Sequence, residues 1–114
     1  MAKAEEAAMS FSVSSQITND VARFFLSGEL DASSANAFRT EIEKVAAQKP
    51  KQLVLMVKDL AFMASAGLRV LIFAKQKLGV DVPIYIVSPQ QPIIDTLQMT
   101  GFHHSVHIVN EYPE

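Results

Sequence analysis

The apolar and polar residues at the start of the chain alternate in the manner of two short strands. Phe11, Val13 and Ile17 are separated by polar residues, and after a polar interruption at residues 18–20 the segment 21–27 is again rich in β-branched and aromatic residues. Alternation of this kind on both sides of an Asn-Asp turn is typical of a β-hairpin. We therefore predict an antiparallel pair of strands at the beginning of the fold.

The pattern becomes helical at Ala35. From there apolar residues recur every three or four positions, which places one apolar stripe on a helix. These residues are Ala35, Phe38, Ile42, Val45 and Ala46. Ser33 or Ser34 can cap the helix, and the polar, proline-containing segment 48–51 ends it. Residues 53–57 follow as an unbroken apolar run, which suits a central strand covered on both faces.

A second helix and a further strand are predicted after residue 63. Residues 64–78 are rich in leucine, alanine, isoleucine and lysine, and Gly79 stands where glycine often follows the end of a helix. Residues 82–87 form another apolar run of strand length. The chain thus alternates strand and helix, as βαβ units do.

The segment Ser88-Pro89-Gln90-Gln91 predicts the start of a third helix. Ser88 would be the N-cap, Pro89 the first helical residue and Gln91 the third, as in a capping box. Apolar residues that follow give this helix a buried side, and Gly101 ends it. A last short strand is predicted over 106–109.

The predicted order is therefore β-β-α-β-α-β-α-β, which indicates an α/β fold. Crossover helices imply a mixed, mostly parallel sheet with the antiparallel hairpin at its N-terminal side and helices packed on it. At 114 residues the chain has the size of a single domain. We expect that domain over 11–110, a flexible leader over 1–10 and a polar tail over 111–114.

Composition excludes several classes of function. The chain has no cysteine, so disulfides, thiolate metal sites and cysteine nucleophiles are ruled out. Its formal net charge of −2 does not favour nucleic-acid binding, and no apolar run approaches the length of a membrane span. The N-terminal residues lack the pattern of a secretory signal, which indicates the cytoplasm. Monomer is the default oligomeric state.

Candidate enzyme chemistry is sparse. His103, His104 and His107 have the spacing of possible metal ligands, but this pattern is more typical of a loop and an edge strand. A receiver-like phospho-aspartate domain is an alternative, because Asp59 follows a central apolar strand. Such a domain needs an acidic pair after its first strand, and only Asp20 is found there.

The segment 59–68 stands apart from the rest of the chain. A buried strand ends, a loop crosses, and small residues lead into the second helix, so Ser65 is expected at or beside the start of that helix. Ser65 can be a plain N-cap, worth about 1 kcal/mol. The start of a helix is also a favourable place for a phosphate, because free backbone N–H groups and the helix dipole attract an anion.

At these residues the sequence resembles a STAS domain of the bacterial anti-sigma-factor antagonist type. Residues 26–31, Leu-Ser-Gly-Glu-Leu-Asp, match the family's L-x-G-E-L-D, and residues 59–68, Asp-Leu-Ala-Phe-Met-Ala-Ser-Ala-Gly-Leu, match its D-L-x-x-[MI]-D-S-[ST]-G-L. Ser88-Pro89 and Leu97-x-x-x-Gly101-Phe102 resemble later family motifs. The resemblance covers about residues 11–110.

The resemblance implies a partner switch. In that family the matching serine accepts a phosphate, which carries over to Ser65. The unmodified domain binds an anti-sigma-factor serine kinase, phosphorylation by the kinase breaks the complex, and a serine phosphatase resets it. ATP and magnesium belong to the kinase, so no cofactor and no enzymatic activity are expected of this chain. The expected partner-binding residues are Gly28, Glu29, Leu30, Asp31, Ser33, Met63, Ala64, Ala66, Gly67 and Leu68.

Two residues depart from the family pattern. Ala64 replaces the usual aspartate before the phosphoserine, and Ala66 replaces a second hydroxyl residue. The family's C-terminal helix is also not evident. The departure at Ala64 motivates one alternative, a constitutive STAS interaction module that no kinase modifies and that binds a signalling partner through the same surface. A second alternative, from another class, is an enzyme or metal protein that uses the three histidines.

Overall fold

The computed structural model describes residues 11–112. The predicted leader, 1–10, lies outside these residues, as do 113–114 of the predicted tail. The strands are β1 (Ser12–Thr18), β2 (Val21–Leu30), β3 (Gln52–Met63), β4 (Ile84–Val87) and β5 (His107–Val109). The helices are α1 (Ala35–Ala46), α2 (Ser65–Leu78) and α3 (Gln91–Thr100), with a 3-10 helix at Phe102–Ser105.

The strands form one sheet in the order β1-β2-β3-β4-β5. β1 and β2 are antiparallel, and the other neighbouring pairs are parallel. In the hairpin, Thr18 pairs with Val21, and Asn19 and Asp20 both have positive φ angles of 53° and 67°. Positive φ at both central residues matches the right-handed twist of the strands. The mixed sheet, the hairpin and the order of elements are thus confirmed.

All three helices pack on one face of the sheet. Alternate residues of the strands point to this face and join the buried residues of the helices in one core cluster. Its largest fully buried side chains include Phe24, Phe38, Leu55, Ile86, Ile93 and Leu97. The start of α2, where Ser65 is found, therefore lies on this face of the sheet together with the other two helices.

The opposite face of the sheet is covered in part by Tyr112. Its hydroxyl donates a hydrogen bond to Gln52 Oε1, its ring makes an edge contact with Tyr85 at 5.1 Å, and the Arg23 guanidinium lies 5.4 Å from its ring. The run 53–57 is thus in the central strand, as predicted, with helices on only one of its faces. Tyr112, predicted to lie in a polar tail, packs on the sheet.

Two strands are longer than the sequence indicated. β2 continues to Leu30 and β3 to Met63, so residues 58–63 belong to β3, where the sequence predicted a loop between the central strand and the second helix. The ends of the two strands pair with each other, with shifts in register on both sides of Gly28. Gly28 has a φ of 88°, which a side chain would disfavour, and it allows the irregularity that keeps the strands paired.

The start of the third helix also differs from the prediction. Ser88 is not its N-cap, since α3 begins at Gln91 after Gln90 and its proline is Pro92. Ser88 adopts a φ of 56°, and its hydroxyl donates a 2.7 Å hydrogen bond to the carbonyl oxygen of Asn110. The side chain that was expected to cap the helix therefore holds the chain after β5.

Candidate functional site

The carboxyl ends of β2 and β3 bring the two motif segments together. Leu30 pairs with Met63, and the next residue, Ala64, donates its backbone N–H to the Leu30 carbonyl oxygen at 2.8 Å. Asp31 and Ser65 each lie one residue beyond this contact. The sequence alone predicted both segments but could not show that they are adjacent.

Ser65 is the first residue of α2 and is exposed to solvent. Ala64 occupies the N-cap position, so the interpretation of Ser65 as a plain N-cap is wrong. Within the part of the chain that the structure describes, the Ser65 hydroxyl forms no hydrogen bond. The hydroxyl is accessible, and the first N–H groups of α2 have no partner inside the helix.

Asp31 organises the turn that connects β2 to α1. Its Oδ1 accepts hydrogen bonds from the backbone N–H of Ser33 at 3.0 Å and of Ser34 at 3.2 Å, and from the Ser33 hydroxyl at 2.7 Å. The Ser33 hydroxyl has the largest effect on the pKa of the Asp31 carboxyl. Together with the other donors, and against the opposing effect of desolvation, it lowers that pKa below its usual value. Asp31 is therefore a charged, locally fixed carboxylate.

Ser34 precedes α1, as predicted, but its side chain does not cap the helix. Its hydroxyl instead donates to the Glu29 carbonyl oxygen at 3.0 Å and accepts the backbone N–H of Asp31 at 2.9 Å. These bonds tie the turn back to β2. Asp31 and Ser34 together thus hold the β2–α1 turn in one conformation.

Four residues expected to contact a partner are instead buried. The side chains of Leu30, Met63 and Leu68 are 1%, 3% and 5% exposed, and Gly67 is also buried. Met63 and Leu68 could offer apolar contact to a partner only if their side chains were exposed, and neither side chain is. These side chains belong to the core because α2 packs directly over the ends of β2 and β3.

Gly67 makes this close packing possible. A Cβ at residue 67 would lie 2.6 Å from Leu30 Cγ and 2.9 Å from Met63 Cγ, far inside normal contact distance. A small residue is therefore required where α2 crosses the two strand ends. The glycine of the motif positions Ser65, although it has no side chain to offer a partner.

One exposed aromatic residue was missed by the sequence reasoning. Phe62 is 43% exposed and pairs with Glu29 in the sheet. Its neighbour Met63 is buried, and only the continued pairing of β3 shows which of the two faces solvent. We define the Ser65 surface as the exposed or half-buried residues around the strand ends, namely Glu29, Asp31, Ser33, Phe62, Ala64, Ser65 and Ala66.

A groove of about 280 Å³ lies beside this surface, between α1 and α2. Arg39 contributes to it from α1, and Arg69 and Phe73 from α2. The Arg39 guanidinium lies over the Phe73 ring at 4.3 Å. The sequence reasoning did not single out these arginines; their spacing on two separate helices gives no local motif.

The histidines do not form a site together. The rings of His103 and His104 are 3.9 Å apart in the 3-10 helix, whereas His107 stacks on Tyr85 at 4.8 Å. Over residues 11–112, no three His, Cys, Asp or Glu side chains are grouped so that they could hold a metal ion. Asp59 of the receiver-like alternative lies within β3, paired with Ser27 in β2.

The helices within residues 11–112 are too short or too polar to cross a bilayer.

Comparison with protein families finds a match to the STAS domain over residues 12–114. Among curated proteins, the anti-sigma-F factor antagonist RsfB of Mycobacterium tuberculosis is 33% identical over 70 residues. That match covers 61% of this chain and only 57% of the relative.

Solved structures share the fold. An anti-sigma factor antagonist from Mycobacterium paratuberculosis superposes with a TM-score of 0.82 at 24% identity, covering 90% of this chain and 87% of the other. The anti-sigma factor antagonist SpoIIAA in its unphosphorylated form gives 0.73 at 19% identity, covering 90% of each chain. The phosphorylated form of SpoIIAA from Bacillus gives 0.66 at 19% identity, covering 90% and 93%.

Proposed function

This chain belongs to the STAS domain family, and on that premise we propose that it is an anti-sigma-factor antagonist that acts by partner switching. In its unmodified form it binds an anti-sigma factor that is also a serine kinase. Phosphorylation of Ser65 by that kinase releases the partner, and a serine phosphatase restores the binding form. The chain itself is a substrate and a binding module rather than an enzyme.

The observation that carries this proposal is the placement of Ser65. An exposed hydroxyl without a hydrogen-bond partner among the described residues stands at the first position of a 14-residue helix. The backbone bond from Ala64 to Leu30 joins this helix start to the turn that holds the Asp31 carboxylate. Phosphate is well tolerated at a helix start, so the modified protomer remains folded. The resemblance to the family supplies the identity of the partner.

Release follows from the cost of placing a phosphate in an interface. The modification adds about −1.5 to −2 charge at the start of α2, and a docked partner must either desolvate that charge or oppose it with cations. A penalty of about 3 kcal/mol weakens binding more than a hundredfold. The Ser65 surface would bind through Phe62 and the polar groups around it, with the buried Met63 and Leu68 acting as support.

The experiment uses candidate partner kinases, namely ATPases of the histidine-kinase-like type from the same genome. Each is mixed with the full chain, ATP and magnesium, and binding and the mass of the chain are measured. We expect one added phosphoryl group on the wild type, none on Ser65→Ala, and an unchanged reaction on Ser105→Ala. Ser105 is the matched control because it is an exposed serine in the 3-10 helix, outside the Ser65 surface.

A second candidate function is a constitutive STAS interaction module. The alanines at positions 64 and 66 favour it, because they remove an acid and a hydroxyl from the family motif. A kinase that binds the wild type without modifying it would support this module. If no such ATPase binds the wild type, the partner-switch proposal is wrong.

A further inference from the structure

We propose that the groove between α1 and α2 binds an acidic segment of the partner protein, and that Arg39 and Arg69 pair with its carboxylates. This inference rests on the proposed function, since it assigns to the same partner a second contact next to the Ser65 surface. The class of occupant follows from the charge of the groove, its apolar floor and its position.

The charge of the groove is positive and largely uncompensated. Among the described residues, Arg39 and Arg69 are the charged side chains that line the groove, and no acidic side chain lines it. Arg69 is exposed and pairs with no group in residues 11–112. Arg39 has Glu43 at 4.0 Å, but both side chains are about half exposed, and such pairs contribute little. Both guanidinium groups therefore remain able to bind an anion.

The walls of the groove favour a peptide segment over a free ion. Phe73, Val70 and small alanines line the space between the two arginines. The Arg39 guanidinium is held against the Phe73 ring at 4.3 Å, which restricts its motion before any partner binds. A planar guanidinium binds a carboxylate through two parallel hydrogen bonds. A segment with acidic and apolar side chains matches both features.

Arg69 also connects the groove to Ser65. The two residues are four positions apart in α2, so they are neighbours on the helix surface. Helical side chains lean toward the N-terminal turn, which directs Arg69 toward the residue that would carry the phosphate. Phosphate on Ser65 would therefore compete with the partner's carboxylate for Arg69, so modification would remove a binding contact as well as add charge.

The test measures affinity for the kinase that binds the wild type. Charge reversal by Arg69→Glu or Arg39→Glu is expected to weaken binding by about tenfold or more. Lys77→Glu is the control, because it makes the same change of charge at the other end of α2 and should change affinity less than about twofold. Circular dichroism and thermal unfolding of each variant establish that the fold is retained.

A second experiment tests whether phosphate on Ser65 competes with the partner's carboxylate for Arg69. Phosphoserine is incorporated at position 65 by genetic encoding, in the wild type and in Arg69→Gln. The loss of affinity caused by phosphate should be smaller in Arg69→Gln, since the guanidinium for which it competes is already absent. Equal losses in the two backgrounds would overturn the competition.

The outcomes separate this inference from the proposed function. If the kinase binds the wild type and the Arg39→Glu and Arg69→Glu variants equally well, the groove is not the contact and only the inference fails. If Lys77→Glu weakens binding as much as the two reversals in the groove, the effect is one of overall charge, and the inference again fails alone. If no kinase binds the wild type, the proposed function fails, and the inference with it.

Discussion

The backbone N–H of Ala64 donates a 2.8 Å hydrogen bond to the carbonyl oxygen of Leu30. This bond extends the pairing of β2 and β3 by one residue and joins the turn that contains Asp31 to the start of α2. Because it is formed by main-chain atoms, substitution of the side chains at either residue leaves the connection intact. The relative position of Asp31 and Ser65 is therefore set by the backbone of the sheet.

Substitution of Ser65 by aspartate separates an effect on the fold from an effect on binding. A negative charge at the first turn of a helix is stabilising by about 0.3–1 kcal/mol. We expect Ser65→Asp to unfold at the wild-type temperature or slightly above it and to bind the proposed kinase partner more weakly. Gln76→Glu, which adds a charge at an exposed position later in α2, should leave binding unchanged. A large loss of thermal stability in Ser65→Asp would contradict this prediction.

Restoring the family's aspartate at position 64 should stabilise the helix. Ala64 is the N-cap of α2 and supplies no side-chain hydrogen bond. An aspartate or asparagine there can accept a free N–H, which contributes about 0.5–2 kcal/mol relative to alanine. Ala64→Asp and Ala64→Asn should both raise the free energy of unfolding measured in urea. If the proposed kinase modifies Ser65, a difference between the two variants in the rate of phosphorylation would report the effect of the charge alone.

Substitution of Gly67 by alanine should destabilise the protein. The added Cβ would lie 2.6 Å from Leu30 Cγ and 2.7 Å from Leu30 Cδ2, so the side chain beneath it must move. Overpacking of this kind costs about 1–3 kcal/mol, which offsets or exceeds the gain of up to about 1 kcal/mol from alanine in a helix. Urea denaturation measures the net loss. The additional substitution Leu30→Ala should cost less in the Gly67→Ala background than in the wild type.

The turn at Asp31 should make the free energy of unfolding depend on pH in the acidic range. Hydrogen bonds from Ser33 and Ser34 lower the pKa of Asp31 in the folded state, so the carboxylate stabilises the fold above its unfolded pKa near 3.8. That contribution is lost as the pH falls through the lower folded-state pKa. Asp31→Asn keeps an acceptor oxygen but cannot titrate, so its free energy of unfolding should decline less steeply with falling pH below about 4.

The matched variant for this pH dependence is Ser33→Ala. It removes the hydroxyl that donates to Asp31 Oδ1 at 2.7 Å and leaves the carboxylate in place. Its unfolding free energy should also decline less steeply than that of the wild type below about pH 4. Parallel curves for Asp31→Asn and the wild type would show that the turn does not favour the ionised carboxylate.

The order of elements could be predicted from the sequence because each element has a local signal. The hairpin follows from alternation around Asn19 and Asp20, and the end of α2 from Gly79. The lengths of β2 and β3 could not be predicted, since they depend on pairing between Gly28 and Leu60, which are far apart in the chain. Propensity gives no signal for such non-local pairing.

The residues of the candidate site could likewise be predicted only where they stand in a local motif. Ser65 and Asp31 are recognisable because they stand in motifs with fixed spacing. The burial of Met63 and Leu68 and the exposure of Phe62 depend on how closely α2 crosses the strand ends. Arg39 and Arg69 come together only when α1 and α2 pack side by side. Features that arise from contact between separate elements have no counterpart in the local pattern.

The packing of Tyr112 decides where this domain can safely be trimmed. A fragment that stops at Asn110, the boundary suggested by the sequence, would lose the ring that lies against Tyr85 and Arg23 and the hydroxyl bonded to Gln52. Expressed fragments and fused tags should accordingly leave the chain intact beyond this tyrosine. Without Tyr112, more of this sheet face would be exposed to solvent. Non-specific association through that face would then be mistaken for a property of the native protein.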